Sequence, residues 1–233
     1  MGIADALRRV QENIIKAARK SGRDPDEIRL VAVSKTVGLN RIAEAARAGA
    51  LIFGENRVQE AKQKIATFKS QIPDLPVEWH LIGSLQKNKA KTAGQLFDLI
   101  HSLDSSDLAG ILNKCAEQSG KKQRVLVQVK LSEEESKHGA CEKDLTDLLE
   151  KVHAMDHLLV EGLMTIPPYF EDPEQSRPYF RRLKEIRNRA AMQGFHVPEL
   201  SMGMSHDYEI AVEEGATFVR VGSAIFGERN YEK

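Results

Sequence analysis

Three stretches of the chain bring together residue types that could do chemistry. In the first, Lys35 closes the run Arg29-Leu30-Val31-Ala32-Val33-Ser34-Lys35-Thr36, which reads as a short buried strand between Asp24-Pro25-Asp26 and Gly38. A lysine at the mouth of such a strand is placed to be desolvated, which favours its neutral, nucleophilic amine. The plainer alternative is a solvated loop charge. The second stretch, Ser201-Met202-Gly203-Met204-Ser205-His206-Asp207, combines two hydroxyls with a glycine. Gly203 permits a tight turn and close approach of backbone N–H groups to an anion. Ser205 is placed to cap a following helix, and an ordinary strand-to-helix turn would have the same composition. The third, Arg220-Val221-Gly222-Ser223-Ala224-Ile225-Phe226-Gly227, again sets a glycine and a hydroxyl after a strand. Arg220 lies inside that strand, where it needs a partner. It is either half of an ion pair across an interior or a fixed cation aimed at a mouth.

The elements that must hold these residues alternate between strand and helix. Ile3, Leu7, Val10, Ile14 and Ala18 form one apolar stripe, so the chain opens with a helix that Gly22 stops. Strands are expected at Arg29–Ser34, Leu51–Gly54, Glu78–Ile82, Leu96–Ser102, Arg124–Leu131, Leu158–Ile166, Glu199–Met202 and Thr217–Val221. Amphipathic helices fall between them, one carried by Leu145, Leu148, Leu149 and Val152, another by Phe180, Leu183, Arg187 and Ala190. Gly49 and Gly215 read as helix-ending glycines. Eight such units in 233 residues predict one α/β domain over 1–233, a (β/α)8 TIM barrel with an extra N-terminal helix. An open α/β sheet is the alternative. In a barrel the first and eighth strands are neighbours, so Lys35 would stand beside the two anion-compatible loops. An amine next to a phosphate cradle suggests Schiff-base chemistry with either a sugar phosphate or pyridoxal phosphate.

Composition narrows the classes. Lys and Arg total 34, as do Asp and Glu, and the zero formal net charge gives no drive toward nucleic acid or anionic membrane. Cys115 and Cys141 are too few for a disulfide framework and suit a reducing compartment. No signal peptide or membrane-length apolar run is present in the sequence, so a cytoplasmic protein is expected. Gly222 to Gly227 is followed by Glu228 rather than Lys, which excludes a P-loop. His80, His101 and His206 lack metal-ligand spacing and are expected as polar loop or core-edge residues. Lys87, Lys89 and Lys91, and the basic residues of 181–189, read as solvated surface.

The motifs also carry a resemblance. Val31-Ala32-Val33-Ser34-Lys35-Thr36, Phe53-Gly54-Glu55-Asn56-Arg57-Val58-Gln59-Glu60, and Trp79-His80-Leu81-Ile82-Gly83-Ser84-Leu85-Gln86-Lys87-Asn88-Lys89 occur in that order. Gly162-Leu163-Met164-Thr165-Ile166-Pro167, Ser201-Met202-Gly203-Met204-Ser205 and Val219-Arg220-Val221-Gly222-Ser223-Ala224-Ile225-Phe226-Gly227 follow. Together they resemble the pyridoxal-phosphate homeostasis proteins, single-domain relatives of the alanine racemase barrel. The resemblance implies a Schiff base between Lys35 and pyridoxal 5′-phosphate. It also implies that Ser201, Gly222 and Ser223 hold the phosphate, with Gly203 in the same loop system. Arg220 would face the pyridine nitrogen, and Asn56, His80 and Met164 would lie near the ring. His206 departs from a family position that is often acidic, and Ser223 stands where Thr is common.

The implied role is to buffer or deliver the cofactor to pyridoxal-phosphate-dependent apoenzymes, as a monomer and without efficient turnover. Two points support that expectation. An arginine cannot accept a proton from a ring nitrogen, which weakens the cofactor as an electron sink. The chain also reaches Lys233 without the β-rich domain that supplies a racemase's tyrosine base. A racemase-like enzyme is the alternative; a Schiff-base aldolase would explain Lys35 but not the other motifs.

Overall fold

In the computed structural model, which describes residues 2–132 and 138–227, strands and helices alternate along the chain. Helix α1 (Ile3–Lys20) precedes β1 (Arg29–Val33), α2 (Leu39–Arg47), β2 (Ile52–Glu55), α3 (Val58–Gln71) and β3 (Glu78–Leu81). Then come α4 (Ala90–Leu96), β4 (Leu99–Leu103), α5 (Ser106–Gln118), β5 (Gln123–Lys130) and the two-residue β6 (Ala140–Cys141). The chain continues through α6 (Leu145–His153), β7 (Leu158–Met164), α7 (Arg177–Met192) and β8 (Glu199–Met204). It closes with α8 (Tyr208–Glu213), β9 (Phe218–Val221) and α9 (Ser223–Phe226).

Eight strands form a closed parallel ring. The order β4-β3-β2-β1-β9-β8-β7-β5 is completed by a β4–β5 pairing, and β6 is appended to β5 alone. The barrel, not the open sheet, is therefore the fold. All eight expected strands are present, most with ends shifted by one or two residues; the seventh runs on to Met204, so Gly203 lies in the strand and not in the loop. The fourth begins at Leu99 rather than Leu96, because Leu96 ends α4 and Phe97 caps it. Strand β6 was not anticipated; a two-residue bridge has no periodicity to read.

Two apolar clusters separate the layers. The larger fills the space between strands and helices. The smaller lies inside the ring and comprises Val31, Val33, Ile82, Leu99, Leu126, Met164 and Phe218. Helix α1 buries its whole expected stripe against α2, α8 and α9. It is needed there because α9 has only four residues and α8 six, too short to cover the β9–β1 seam. Glycines at the expected helix ends, Gly49 (φ 103°) and Gly215 (φ 109°), adopt the left-handed backbone that reverses the chain into the next strand. On α7 the buried stripe is Phe180, Leu183, Ile186 and Ala190, so Ile186 takes the place expected for Arg187. A guanidinium has no partner in that apolar layer; Arg187 instead bonds the Pro198 carbonyl at 2.8 Å.

Glu161 is a β-bulge. Val125 faces Val160 and Leu126 faces Gly162, leaving Glu161 extra on β7, where it pairs with Arg124. Gly162 is then pressed on β8: a Cβ there would stand 2.0 Å from the Glu199 carbonyl oxygen. Backbone cannot yield as a side chain tip does. Gly162→Ala is expected to destabilise the protein by about 1–3 kcal/mol or more, measured by chemical denaturation; an unchanged midpoint would contradict this account of the β7–β8 junction.

Candidate functional site

Lys35 lies one residue beyond the buried Ser34, half-buried at the C-terminal end of β1. Its backbone is held on both sides. Val37 N–H donates to the Ser34 carbonyl at 3.0 Å, making a tight turn around Lys35 and Thr36. Thr36 has φ 62°, a left-handed conformation that a β-branched residue adopts only when its surroundings enforce it. The enforcing group is Glu60, whose Oε1 accepts the Thr36 N–H at 2.7 Å.

Beneath the turn sits a buried charge cluster. Lys64 Nζ donates to the Ser34 carbonyl at 2.8 Å, to Glu55 Oε1 at 2.6 Å and to Glu60 Oε1 at 2.9 Å, using all three of its protons. Ser34 Oγ donates to the same Glu55 oxygen at 2.6 Å. Glu55 is fully buried, and burial raises its pKa despite Lys64 and Ser34. Burial also works against ionisation of Glu60, but the bonds from Lys64 and Thr36 outweigh it and lower that pKa. The cluster ties β1, β2 and α3 together under the turn. The only local signals were a glutamate ending a buried strand and the Glu60–Lys64 spacing of four on α3.

Barrel closure sets the Lys35 turn beside the loop after β9. Val31 is opposite Arg220 and Ala32 opposite Val221. Gly222 then packs so near β1 that a Cβ on it would lie 3.3 Å from Val33 Cβ. The Gly222 N–H donates to Ser205 Oγ at 3.0 Å, and Ala224 N–H points to the same oxygen at 3.5 Å. Ser205 therefore does not cap α8 as expected. Asp207 takes its place in that loop by accepting the Met204 N–H, and the Ser205 hydroxyl crosses to the β9 loop. It occupies the position where backbone donors would meet an anion's oxygen. Ser223 is exposed at the start of α9.

Other residues singled out from the sequence lie deeper or elsewhere. Arg220 is buried, and burial lowers its pKa to about 10, leaving it charged at neutral pH. Its Nη1 donates to Ser201 Oγ at 2.6 Å and its Nη2 to the Thr165 carbonyl at 2.9 Å. These neutral acceptors take the place of the ion pair that was one expectation. Ser201 is fully buried, its hydroxyl engaged by Arg220 and by His101 Nδ1 at 2.9 Å. His80 and His101, expected in loops or at the core edge, are fully buried in the barrel interior. Alternation along β3 and β4 points both rings inward, which a run as short as these cannot reveal by itself. His206 does sit in an exposed loop, against Tyr169 and the Glu171 carbonyl. Met164 belongs to the interior apolar cluster. Gly203 (φ 88°) faces outward, where a Cβ would stand 2.5 Å from Ala211 Cβ on α8. Asn56 is half-buried after β2 and lines a groove of about 750 Å³ with Gln59, Gly83, Ser84 and Asp104. Lys87 pairs with Asp107 on the surface.

A closed parallel barrel is the fold of the alanine racemase N-terminal domain, and the model of that family matches residues 6–230. The chain belongs to the pyridoxal phosphate homeostasis protein family. The protein of that name from Aquifex aeolicus is 45% identical over 99% of this chain and 100% of its own. The Escherichia coli protein of the same name is 40% identical over 99% and 98%. The structure of PipY from Synechococcus elongatus with PLP bound superposes with a TM-score of 0.84 at 36% identity, covering 97% of this chain and 100% of that one.

Two outcomes are expected. Lys64→Met leaves Glu55 buried without its cation and should cost about 3–5 kcal/mol of unfolding free energy, with much of it restored in Lys64→Met/Glu55→Gln. The second concerns acid. Burial lowers the pKa of His80 and His101 below the ordinary 6.5. Below that pH the unfolded chain binds protons that the folded state refuses, so stability is full above about 6.5 and falls on acidification. Each histidine contributes up to about 1.4 kcal/mol per pH unit. Glu78, lowered to about 2 by the bond from His80 and then by Arg124, adds a further loss below 4.5. Denaturation curves between pH 7.5 and 4 should show this slope, and His101→Gln should flatten its upper part.

Proposed function

We propose that this chain binds pyridoxal 5′-phosphate through a Schiff base on Lys35 and takes part in the intracellular homeostasis of that cofactor by holding and delivering it. The observation that carries the reading is the adjacency of the Lys35 turn and the Gly222–Ala224 donors across the β1–β9 seam. Support also comes from PipY, a relative over nearly the whole chain whose structure has PLP bound. Curated relatives over the full length carry the homeostasis name.

The cofactor supplies an aldehyde that a lysine amine captures with loss of water, and a phosphate that anchors it. On this reading Lys35 provides the amine. The N–H groups of Gly222 and Ala224, which now meet Ser205 Oγ, turn to the phosphate when it displaces that oxygen, with the hydroxyls of Ser205 and Ser223 donating beside them. Ser201, the phosphate residue the resemblance implies, shares its hydroxyl with Arg220 and His101, as Ser205 shares its own with Gly222 and Ala224. Arg220 faces the ring and, staying protonated, cannot take a proton from its nitrogen. Met164 gives an apolar surface, Asn56 a polar edge of the mouth, and His80 acts through His101. Gly203 lets α8 approach β8. The reading makes a single chain the working unit and pyridoxal-phosphate-dependent apoenzymes the recipients. It also sets the protein in the cytoplasm, where Cys115 and Cys141 stay free thiols. Among the described residues no helix is long and apolar enough to cross a membrane.

Mixing the purified protein with pyridoxal phosphate should raise a visible absorption band, and borohydride should then fix the cofactor on the peptide containing Lys35. Lys35→Ala should abolish both. Ser205→Ala should weaken binding about tenfold, the worth of one hydrogen bond to an anion. A protein that gains neither band nor adduct overturns the proposal. Added amino acid should change the spectrum stoichiometrically; sustained racemisation at about 1 per second or faster would indicate an enzyme instead.

A further inference from the structure

Glu78 opens β3, at the end of the barrel opposite Lys35, yet an unbroken line of hydrogen bonds joins it to Arg220. Glu78 Oε2 meets His80 Nε2 at 3.1 Å, and His80 Nδ1 meets His101 Nε2 at 3.0 Å. His101 Nδ1 meets Ser201 Oγ at 2.9 Å, and Arg220 Nη1 reaches that oxygen at 2.6 Å. The line crosses from β3 through β4 to β8 and β9, with Phe218 packed edge-on against both rings.

Its direction follows from its ends. A guanidinium only donates and an ionised carboxylate only accepts. Glu78 therefore accepts a hydrogen bond from His80 Nε2–H, which leaves His80 Nδ1 as an acceptor for His101 Nε2–H. His101 Nδ1 is then an acceptor as well, and receives the one hydroxyl proton of Ser201. The lone pairs of Ser201 are left for Arg220. In this order each link has one donor and one acceptor. With the tautomers reversed, the lone pair of His80 Nε2 would face the Glu78 carboxylate and the Ser201 proton would lose its acceptor, a costly arrangement inside a barrel.

We infer that this line is a positioning relay. Ionised Glu78 sets the tautomers of His80 and His101, and through them makes Ser201 the acceptor that, with the Thr165 carbonyl, aims the Arg220 guanidinium. Glu78, His80 and His101 are positioning residues for whatever ring Arg220 meets, and the inference rests on the proposed cofactor reading for the identity of that ring. Charges facing the relay are Arg124 from β5, Asp98 ahead of β4, Arg29 from β1 and Arg220 itself. Arg124 is also bonded to Glu78 and Glu161, so it holds the relay's acceptor end in place.

The test has two arms. In the cofactor-free wild type, nitrogen-15 NMR of the histidine rings should show His80 and His101 neutral at pH 7, both protonated on Nε2. Nδ1-protonated or charged rings overturn the relay whether or not the protein binds pyridoxal phosphate. In the second arm, Glu78→Gln and His101→Gln are titrated with pyridoxal phosphate alongside wild type. Relay variants should keep the Lys35 adduct after borohydride while the bound cofactor's visible band shifts and its dissociation constant rises about tenfold. If Glu78→Gln folds, binds and absorbs as wild type does across pH 6 to 9, the positioning role is overturned. Should wild type itself fail to bind, the proposed function falls, and the ring tautomers still decide the relay.

Discussion

Closure of the barrel rests on the ladder between β1 and β9, which pairs Leu30 with Val219, Val31 with Arg220 and Ala32 with Val221. These strands lie at nearly opposite ends of the sequence. Their pairing turns a row of βα units into a ring and abolishes both sheet edges. It also creates the candidate site, because Lys35 follows one strand and Gly222 the other. Helix α1 makes the seam durable by covering it where α8 and α9 are too short. The extra helix is thus part of the barrel wall, and its apolar stripe is explained by that duty.

The cost of the arrangement is a set of polar groups inside the protein. Lys64 and Glu55 lie under the Lys35 turn, and Arg220, Ser201, His101 and His80 run through the ring. A buried charge is tolerated only when its hydrogen-bonding capacity is met. Lys64 meets this with three acceptors, whereas Arg220 meets it only in part, with a hydroxyl and a carbonyl, and one oxygen of Glu55 has no partner among the described residues. Such networks fix geometry more than they add stability. The first lies at the end of β1 beneath the Lys35 turn, and the second runs from Arg220 in β9 through the ring to Glu78 at the opposite end. The left-handed Thr36 shows the same economy: its strain is stored where the lysine must be presented, and Glu60 maintains it.

The proposed role of holding a cofactor rests on this organisation. Lys35 follows a turn held by Glu60 and Lys64, the proposed anion donors are backbone groups bonded to a crossed serine, and the interior beneath is packed with Met164, Phe218 and their neighbours. On the proposed reading the backbone donors are already in place, and the Ser205 hydroxyl is the group that must yield to a phosphate oxygen. Preorganisation of that kind favours reversible capture, which is what a cofactor reserve requires.

The sequence alone determined the alternation of strand and helix, the stripe of α1, the turning glycines and the presence of an amine and two glycine–hydroxyl loops. Those features are local, written in periodicities of two and 3.6 residues and in the backbone freedom of glycine. The motif order carried the family as well. Which side chains meet was decided only by the tertiary structure. Ser205 looked like a helix cap and became the acceptor for Gly222, because β8 and β9 are neighbours in the ring. His80 and His101 looked like edge residues and became the interior link between Glu78 and Arg220, because closure points both rings to the same axis. Glu55 and Lys64 gave almost no signal, since a buried ion pair is defined by its partner and the water it excludes. Local patterns set which elements form, whereas the buried contacts that hold the Lys35 turn and lower the pKa of Arg220 exist only once distant strands have closed the barrel.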